Sequence, residues 1–242
     1  MVYVVMIDMR KNYDDIGTMT HFHIVSLFPE AIEPYLKSSI LGRAAEDKKI
    51  KISYYDPKDF SLPARGAEAR AQDIRVDRRP YGGGPGMVLR PDPILKAVEK
   101  ARGKKKGVEI VFFATDGEQF DEPMAQKLSK KKDIIFICGR YEGIDARVQK
   151  ILKAKKVTVG PYVLTGGELP AATMIDAIAR FIPGVLGKAE SLERSRVSAP
   201  EVYTRPEVLE WKKKKYKVPP VLLSGNHKEM DAWKNAKREN RA

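Results

Sequence analysis

The sequence predicts an α/β domain built around a parallel β-sheet, followed by a short, mainly helical C-terminal segment. Two patterns lead to this prediction. Short runs rich in Val, Ile and Phe alternate with longer stretches in which apolar residues recur at helical spacing. Most of the short runs are continuously apolar, which is typical of strands that are buried on both faces of a parallel sheet.

The predicted strands and helices alternate along most of the chain. Two of the helices begin at or just after a proline, Pro29 and Pro91, a residue that is favoured in the first helical turn. The predicted strands are 21–28, 50–55, 108–114, 134–138, 157–159 and 221–223, and the predicted helices are 31–46, 91–102, 123–130 and 169–181.

Changes in composition divide the chain into four predicted segments. The first 18 residues precede Met19, a second candidate start, and are expected to be disordered or an artefact of the gene start. The segment after Pro183 mixes charges and small residues without apolar periodicity. The predicted boundaries are 1–18 for the N-terminal extension, 19–186 for the α/β domain, 187–202 for a flexible linker and 203–242 for the C-terminal segment.

The charge of the chain favours a polyanionic partner. Lys and Arg number 45 against 32 Asp and Glu, which gives a net charge of +13 and a pI of about 9.6. Such an excess attracts nucleic acid through its phosphates, although a lysine-rich solvated surface has the same composition. We therefore expect an RNA or DNA partner, and charge alone leaves open whether that partner is the substrate.

Other bulk features point to a protein of the cytoplasm that does not enter a membrane. The single cysteine, Cys138, excludes an internal disulfide framework and suits a reducing compartment. No apolar run approaches the roughly 20 residues that a membrane-spanning helix needs. The N-terminus lacks the basic region and cleavage site of a signal peptide.

Four glycine-rich segments follow predicted strands or precede predicted helices. They are 81–86, 139–145, 160–170 and 224–227. Because glycine has no Cβ, such loops allow the backbone to approach a ligand closely. Ligands of open α/β sheets bind beyond the carboxyl ends of the strands, so loops that cluster there predict a pocket.

Several familiar sites are absent from these segments. None matches G-x-G-x-x-G or G-x-x-x-x-G-K-[ST], which argues against a dinucleotide cofactor or a P-loop nucleotide site. The 224–227 segment lacks G-x-S-x-G, so a serine hydrolase has no support. His21, His23 and His227 have no companion cysteines at zinc spacing, and His21 and His23 are interpreted as ordinary strand residues. No metal site is predicted.

One predicted helix, 169–181, carries two charged side chains on the same face. Asp176 and Arg180 are four residues apart, a spacing that suits a simple helical ion pair. Arg180 also lies close to the predicted linker, where a bound partner can reach it. The spacing leaves both interpretations open.

The linked motifs resemble those of the bacterial tRNA (guanine-N1)-methyltransferases of the SPOUT superfamily. They occur in the order of that family and cover roughly residues 19–234. The strings are RPYGGGPGM at 79–87, CGRYEGID at 138–145, YVLTGGELP at 162–170, DAIAR at 176–180, PGVLG at 183–187, YTRP at 203–206 and VLLSGNH at 221–227.

The resemblance implies a fold, an assembly and a cofactor. The fold is a SPOUT domain over 19–186 whose C-terminal part forms a trefoil knot, an exception to the rule that chains are unknotted. The assembly is a homodimer with its active site at the subunit interface, and the cofactor is S-adenosylmethionine. By position in the motifs, its contacts are Phe112, Phe113, Gly139, Tyr141, Glu142, Thr158, Val159, Gly160, Tyr162, Leu164, Gly166, Gly167 and Pro170.

The resemblance also implies the reaction, which is methylation of N1 of the guanosine at position 37 of tRNA, 3′ of the anticodon. By motif, Tyr81, Pro85, Gly86 and Asp176 are expected to hold the substrate, and Arg180 is the catalytic arginine. The linker aspartate that acts as base in the family is best matched by Glu190, with Glu193 as the next candidate. A count without gaps from Gly187 points instead to Ser195.

The sequence departs from the family pattern at several points. Pro161 and Arg78 stand where acidic residues are usual, and Thr115 replaces a common proline. The chain also ends nine residues after Trp233, so we expect a shortened tRNA-binding domain over 203–242. Two alternatives therefore stay open: a SPOUT methyltransferase that acts on another RNA, and a non-catalytic RNA-binding homologue.

Overall fold

The fold is taken from a computed structural model, which describes residues 19–61, 75–186 and 201–239. The chain divides into two compact units, with the boundary between Leu186 and Gly187. The predicted extension 1–18 and most of the predicted linker lie outside the described residues.

The first unit consists of short strands and helices that alternate along the chain. Its strands are β1 (Thr20–Val25), β2 (Ile50–Tyr55), β3 (Asp77–Arg78), β4 (Val88–Leu89), β5 (Glu109–Gln119), β6 (Asp133–Ile137) and β7 (Lys155–Thr158). Its helices are α1 (Glu33–Leu36), α2 (Ser39–Glu46), α3 (Pro91–Arg102), α4 (Glu122–Leu128), α5 (Ala146–Leu152) and α6 (Glu168–Ala179).

Five of the strands form one sheet in the order β2-β1-β6-β5-β7, and every neighbouring pair in it is parallel. The predicted α/β class with a parallel sheet is confirmed. Strand β5 runs five residues beyond its predicted end, and its register with β7 shifts between Phe113 and Glu118. Gly117 lies in this irregular stretch, where a Cβ would come within 2.6 Å of the Val157 backbone.

Both faces of the sheet are buried, as the continuous apolar runs predicted. On β6, Ile134 and Phe136 belong to the core beneath α4 and α6. Ile135 and Ile137 belong to the core beneath α3 and α5. Because successive strand residues point to opposite faces, each apolar run fills both cores.

One helix predicted in the first unit needs correction, and another helix was missed. The helix predicted over 31–46 is broken into a short 3₁₀ helix, α1 and α2. Pro34 lacks the N–H that would continue a preceding helix, and Ser39 has a φ of 51° in the left-handed region. Helix α5 was not predicted, because only Val148 of its seven residues is buried and no apolar periodicity marks it.

The second unit contains a hairpin and a helix. Its elements are β8 (Val208–Trp211), β9 (Lys214–Lys217), a 3₁₀ helix (Pro220–Leu222) and α7 (His227–Glu239). The hairpin was not predicted within the mainly helical segment. The strand predicted at 221–223 is wrong, because Pro219 and Pro220 remove two N–H donors and the chain turns there instead. In the described part of the chain, no helix is both long and apolar enough to cross a membrane.

Candidate active site

A cavity of about 370 Å³ lies where β5, β6 and β7 end. Its walls are the end of β5, the loop after β6 and the loop that joins β7 to α6. The two loops are glycine-rich segments that the sequence placed after strands, whereas the end of β5 carries no such motif. Its lining residues are Phe112, Phe113, Ala114, Thr115, Asp116, Gly139, Arg140, Tyr141, Glu142, Gly143, Ile144, Val157, Thr158, Val159, Tyr162, Val163, Leu164, Thr165, Gly166, Gly167 and Pro170.

The lining includes twelve of the thirteen residues expected to contact the cofactor. Gly160 is the one that does not line the cavity, but its backbone has no room for a side chain. A Cβ on Gly160 would come within 2.3 Å of the Tyr162 ring, so glycine there allows the ring to fold over the loop. The role of these residues in cofactor binding stays a prediction.

Glycines also let the two main loops approach each other. The Gly167 N–H donates to the Gly139 carbonyl at 3.0 Å, which joins the start of α6 to the loop after β6. A Cβ on Gly167 would lie 2.6 Å from Cα of Cys138, inside van der Waals contact. The close approach that defines this side of the cavity therefore requires glycine.

A buried ionic group holds the same two loops together. Glu168 is only 2% exposed, and the Ser26 hydroxyl donates to its Oε1 at 2.6 Å. The Arg140 Nε lies 3.0 Å from Glu168 Oε2, with an alignment outside hydrogen-bond geometry, so their attraction is chiefly electrostatic. The Arg140 guanidinium also stacks over Phe28 at 4.9 Å from the ring centre.

The single cysteine, Cys138, lies close to the charged side chains of Glu168 and Arg140. Cys138 is 1% exposed. Burial, and then the negative charge of Glu168, raises the pKa of the Cys138 thiol well above its usual range. The thiol therefore stays neutral and packs as a small apolar side chain, which argues against a nucleophilic role.

The loop 81–87, predicted to hold the substrate, docks on the loop after β6. The Glu142 N–H donates to the Met87 carbonyl at 3.0 Å, and the Leu89 N–H donates to the Gly143 carbonyl at 2.9 Å. Gly86 has a φ of 82°, and a Cβ there would lie 2.5 Å from the Glu142 side chain. The structure thus places the loop with Tyr81, Pro85 and Gly86 beside the cavity, although none of these three lines it and the Tyr81 ring is fully exposed.

Asp176 and Arg180 line a second cavity of about 250 Å³ between α2, α6 and the end of the first unit. The Tyr35 hydroxyl donates a short hydrogen bond to the Asp176 carboxylate, and this bond is the main reason that the pKa of Tyr35 is raised. Among the described residues of one chain, none lines both cavities. Glu190, Glu193 and Ser195 lie outside the described residues.

Sequence reasoning missed three contacts that shape these cavities. Ser26, Arg140 and Glu168 were not expected to form a buried group, and nothing in their spacing links β1 to α6. Tyr35 lies 141 residues from Asp176, so no local pattern connects them. Only the fold brings such pairs together.

Comparisons with known proteins agree with this architecture. A family model described as tRNA (Guanine-1)-methyltransferase TrmD matches residues 20–242. The chain is 41% identical over 217 residues to a tRNA (guanine-N(1)-)-methyltransferase of Mannheimia succiniciproducens, which covers 87% of this chain and 80% of the relative. It is 38% identical over 231 residues to a protein of the same name from Buchnera aphidicola, covering 93% and 92%. The chain therefore belongs to the bacterial tRNA (guanine-1)-methyltransferase family.

Proposed function

We propose that the protein uses S-adenosylmethionine to methylate N1 of guanosine 37 in tRNA, and that it works as a homodimer. The observation that carries the proposal is the cavity at the carboxyl ends of β5, β6 and β7, in a chain whose named relatives are tRNA (guanine-N(1)-)-methyltransferases. Two of its three walls, the loop after β6 and the loop between β7 and α6, are glycine-containing segments that the family motifs mark.

The cavity fits the expected cofactor in size and chemistry. Its volume of about 370 Å³ lies within the range of small-molecule sites. Phe113, Leu164 and Pro170 offer apolar walls for an adenine ring, while the carboxylate of Glu142 suits a cationic ligand. The residues proposed to hold it are Phe112, Phe113, Gly139, Tyr141, Glu142, Thr158, Val159, Gly160, Tyr162, Leu164, Gly166, Gly167 and Pro170.

The protein's own side chains must then prepare the guanine. When bound, S-adenosylmethionine supplies an electrophilic methyl group on a positively charged sulfur. Guanine N1 carries a proton at neutral pH, so a carboxylate has to accept it before N1 can attack. We assign this role to Glu190, with Glu193 as the alternative. Arg180 would stabilise the negative charge that develops on O6 of the guanine.

A dimer explains why the two cavities are separate within one chain. Arg180 and Asp176 line the second cavity, so a two-fold interface that sets this cavity against the partner's main cavity would unite the two sets of residues. Exposed large apolar side chains on the loop between β7 and α6 and at the start of α6 support such an interface. Tyr162 is 56% exposed, Val163 82% and Leu169 58%.

The sheet order is consistent with the proposed knot. Strand β6 lies between β1 and β5, and β7 lies on the far side of β5. The connection through α5 therefore has to cross β5. The loops before and after this connection meet at the Gly167–Gly139 hydrogen bond. Threading of one loop through the other would make the trefoil knot.

The second unit offers a surface suited to the tRNA backbone. Lys212 and Lys213 form the tip of the β8–β9 hairpin, and Trp211 and Tyr216 beside them are 62% and 53% exposed. Lysines bind phosphates and exposed aromatic rings stack on bases, so this combination favours RNA. We propose that the hairpin contributes to tRNA binding.

Calorimetric titration of S-adenosylmethionine tests the assigned cavity. We expect wild-type protein to bind one cofactor per subunit and Gly167→Ala to lose binding, because the added Cβ collides with Cys138. Arg180→Ala should bind nearly as wild type does, since Arg180 is assigned to the guanine and is not among the proposed cofactor contacts. If wild-type protein shows no saturable binding, or Gly167→Ala binds equally well while folded, the cavity is not the cofactor site.

A further inference from the structure

Three polar side chains meet at the opposite edge of the sheet from the main cavity. His21 and His23 lie on the same face of β1, and Asp133 begins the neighbouring strand β6, paired in register with His21. His23 is fully buried, while the side chains of His21 and Asp133 are 14% and 18% exposed. Asp133 begins β6 and Gly139 follows its end, so about 20 Å of strand separates Asp133 from the loop that walls the main cavity.

The distances among these side chains suit a single metal ion. His23 Nε2 lies 2.9 Å and His21 Nδ1 lies 3.8 Å from the same Asp133 oxygen, Oδ1. One ligand atom from each residue can be chosen so that all lie within 4.8 Å of one another. A tetrahedral ion with bonds of about 2.0–2.2 Å sets its ligand atoms about 3.3 Å apart, which falls inside this range.

The remaining ring nitrogens already have the partners that metal-binding histidines need. His21 Nε2 lies 2.8 Å from the Ser53 hydroxyl, and His23 Nδ1 lies 3.1 Å from the Tyr55 hydroxyl. Each hydroxyl oxygen can accept a hydrogen bond from the ring N–H beside it. The other nitrogen of the same ring then carries a lone pair that faces Asp133. Such outer contacts orient and fix the tautomer of ligating histidines.

The rings also have the charge state that ligation requires. Their centres are only 3.7 Å apart, and two imidazolium rings so close and so shielded from water would repel strongly. Neutral imidazoles are the form that binds metals.

One nearby cation competes with a metal. Lys105 Nζ lies 3.4 Å from Asp133 Oδ1 and also donates to the Ala101 carbonyl at 3.0 Å. Its side chain is 39% exposed, so it can swing into solvent when another cation takes its place. Lys51 adds a further positive charge near the two histidines.

We propose that His21, His23 and Asp133 bind a divalent transition-metal ion such as Zn²⁺, with water in the fourth position. Two imidazoles and a carboxylate suit Zn²⁺ and Co²⁺. At this distance from the main cavity the ion would tie β1 to β6 and take no part in methyl transfer. The spacing of histidines and cysteines gave no hint of the site, because Asp133 follows His23 by 110 residues.

Cobalt titration of untagged, chelator-treated protein tests the site without any measurement of activity. We expect wild-type protein to bind one Co²⁺ per chain with tetrahedral visible absorption, and Zn²⁺ to displace it. His21→Asn and Asp133→Asn should lose this absorption, whereas His227→Ala, which changes an exposed histidine of the second unit, should keep it.

Two further variants separate a metal site from a plain hydrogen-bonded cluster. Lys105→Ala should bind Co²⁺ about 10-fold more tightly, because the competing charge is gone. Tyr55→Phe should bind it about 10-fold more weakly, because His23 loses its outer partner. Circular dichroism confirms that each variant is folded. Absence of saturable binding by wild-type protein, or unchanged binding by folded His21→Asn, would overturn the proposal.

Discussion

Arg140 and Glu168 join the two loops that wall the main cavity, with Arg140 Nε 3.0 Å from Glu168 Oε2. Glu168 begins α6 and Arg140 follows β6, so one ion pair fixes the separation of the loops. Gly166 lies between them, and a Cβ there would come within 2.5 Å of both side chains. Gly166 therefore leaves room for the ion pair and also lines the cavity.

Loss of the Glu168 charge should destabilise the protein. In Glu168→Gln the partly buried Arg140 guanidinium loses the anionic partner that Glu168 provides, and we expect the free energy of unfolding to fall by about 3 kcal/mol. Urea denaturation measures the change. The exposed pair of Glu33 and Lys37 provides the control, since Glu33→Gln should cost about 0.5 kcal/mol or less. Equal losses in the two variants would show that burial adds nothing to the Arg140–Glu168 pair.

Cys138 should resist thiol reagents in the folded protein. Burial and the neighbouring Glu168 raise the pKa of its thiol, so little thiolate forms at pH 8. We expect disulfide reagents to modify the native chain about 100-fold more slowly than the unfolded chain. Because Cys138 is the only cysteine, the released chromophore reports on it alone. Rapid labelling of native protein would contradict the packing around Cys138.

The tip of the β8–β9 hairpin allows charge to be removed while the turn is preserved. Lys212 and Lys213 have φ values of 47° and 64°, a conformation that Asn and Gly adopt more readily. Lys212→Asn with Lys213→Gly should keep the hairpin, weaken tRNA binding and reduce the slope of log affinity against log salt by about 1.5. Filter binding at several salt concentrations measures this slope.

Removal of two charges elsewhere provides the control for the hairpin. Lys100→Gln on α3 with Lys127→Gln on α4 changes the net charge by the same amount at exposed positions. We expect a smaller loss of affinity from this pair. If both double variants weaken binding equally, the hairpin acts through net charge alone and has no specific contact with tRNA.

Arg180 should matter for turnover and leave cofactor affinity unchanged. Arg180→Ala removes the group proposed to stabilise charge on guanine O6, and we expect kcat to fall by about 100- to 1,000-fold. The candidate bases are compared in the same assay through Glu190→Gln and Glu193→Gln. The variant that slows single-turnover methylation identifies the base. If neither does, the assignment of the base to the linker glutamates is wrong.

The sequence predicted the parts of the fold that depend on local pattern. The continuous apolar run around Ile134–Phe136 forms a strand in the middle of the parallel sheet. There both faces of the strand are buried, so every apolar side chain of the run is removed from water. The main cavity followed from glycines placed after strands, since the carboxyl ends of parallel strands share one edge. Twelve of the thirteen cofactor contacts that the family resemblance implied line this one cavity.

Features that depend on distant or unusual residues escaped prediction. The hairpin turn uses Lys212 and Lys213 where glycine or asparagine is usual, so no turn motif marked it. The Tyr35–Asp176 and His23–Asp133 contacts join segments more than a hundred residues apart. Their formation depends on strand order and helix packing, which no short stretch of sequence encodes.

Nucleoside mapping of tRNA after reaction tests the central proposal most directly. Unmodified tRNA with guanosine at position 37 is incubated with protein and labelled S-adenosylmethionine, digested and analysed by mass spectrometry. We expect 1-methylguanosine at position 37 and no label in a transcript with adenosine there. A methylated nucleoside at another site, or no transfer by protein that binds the cofactor, would contradict the proposed reaction.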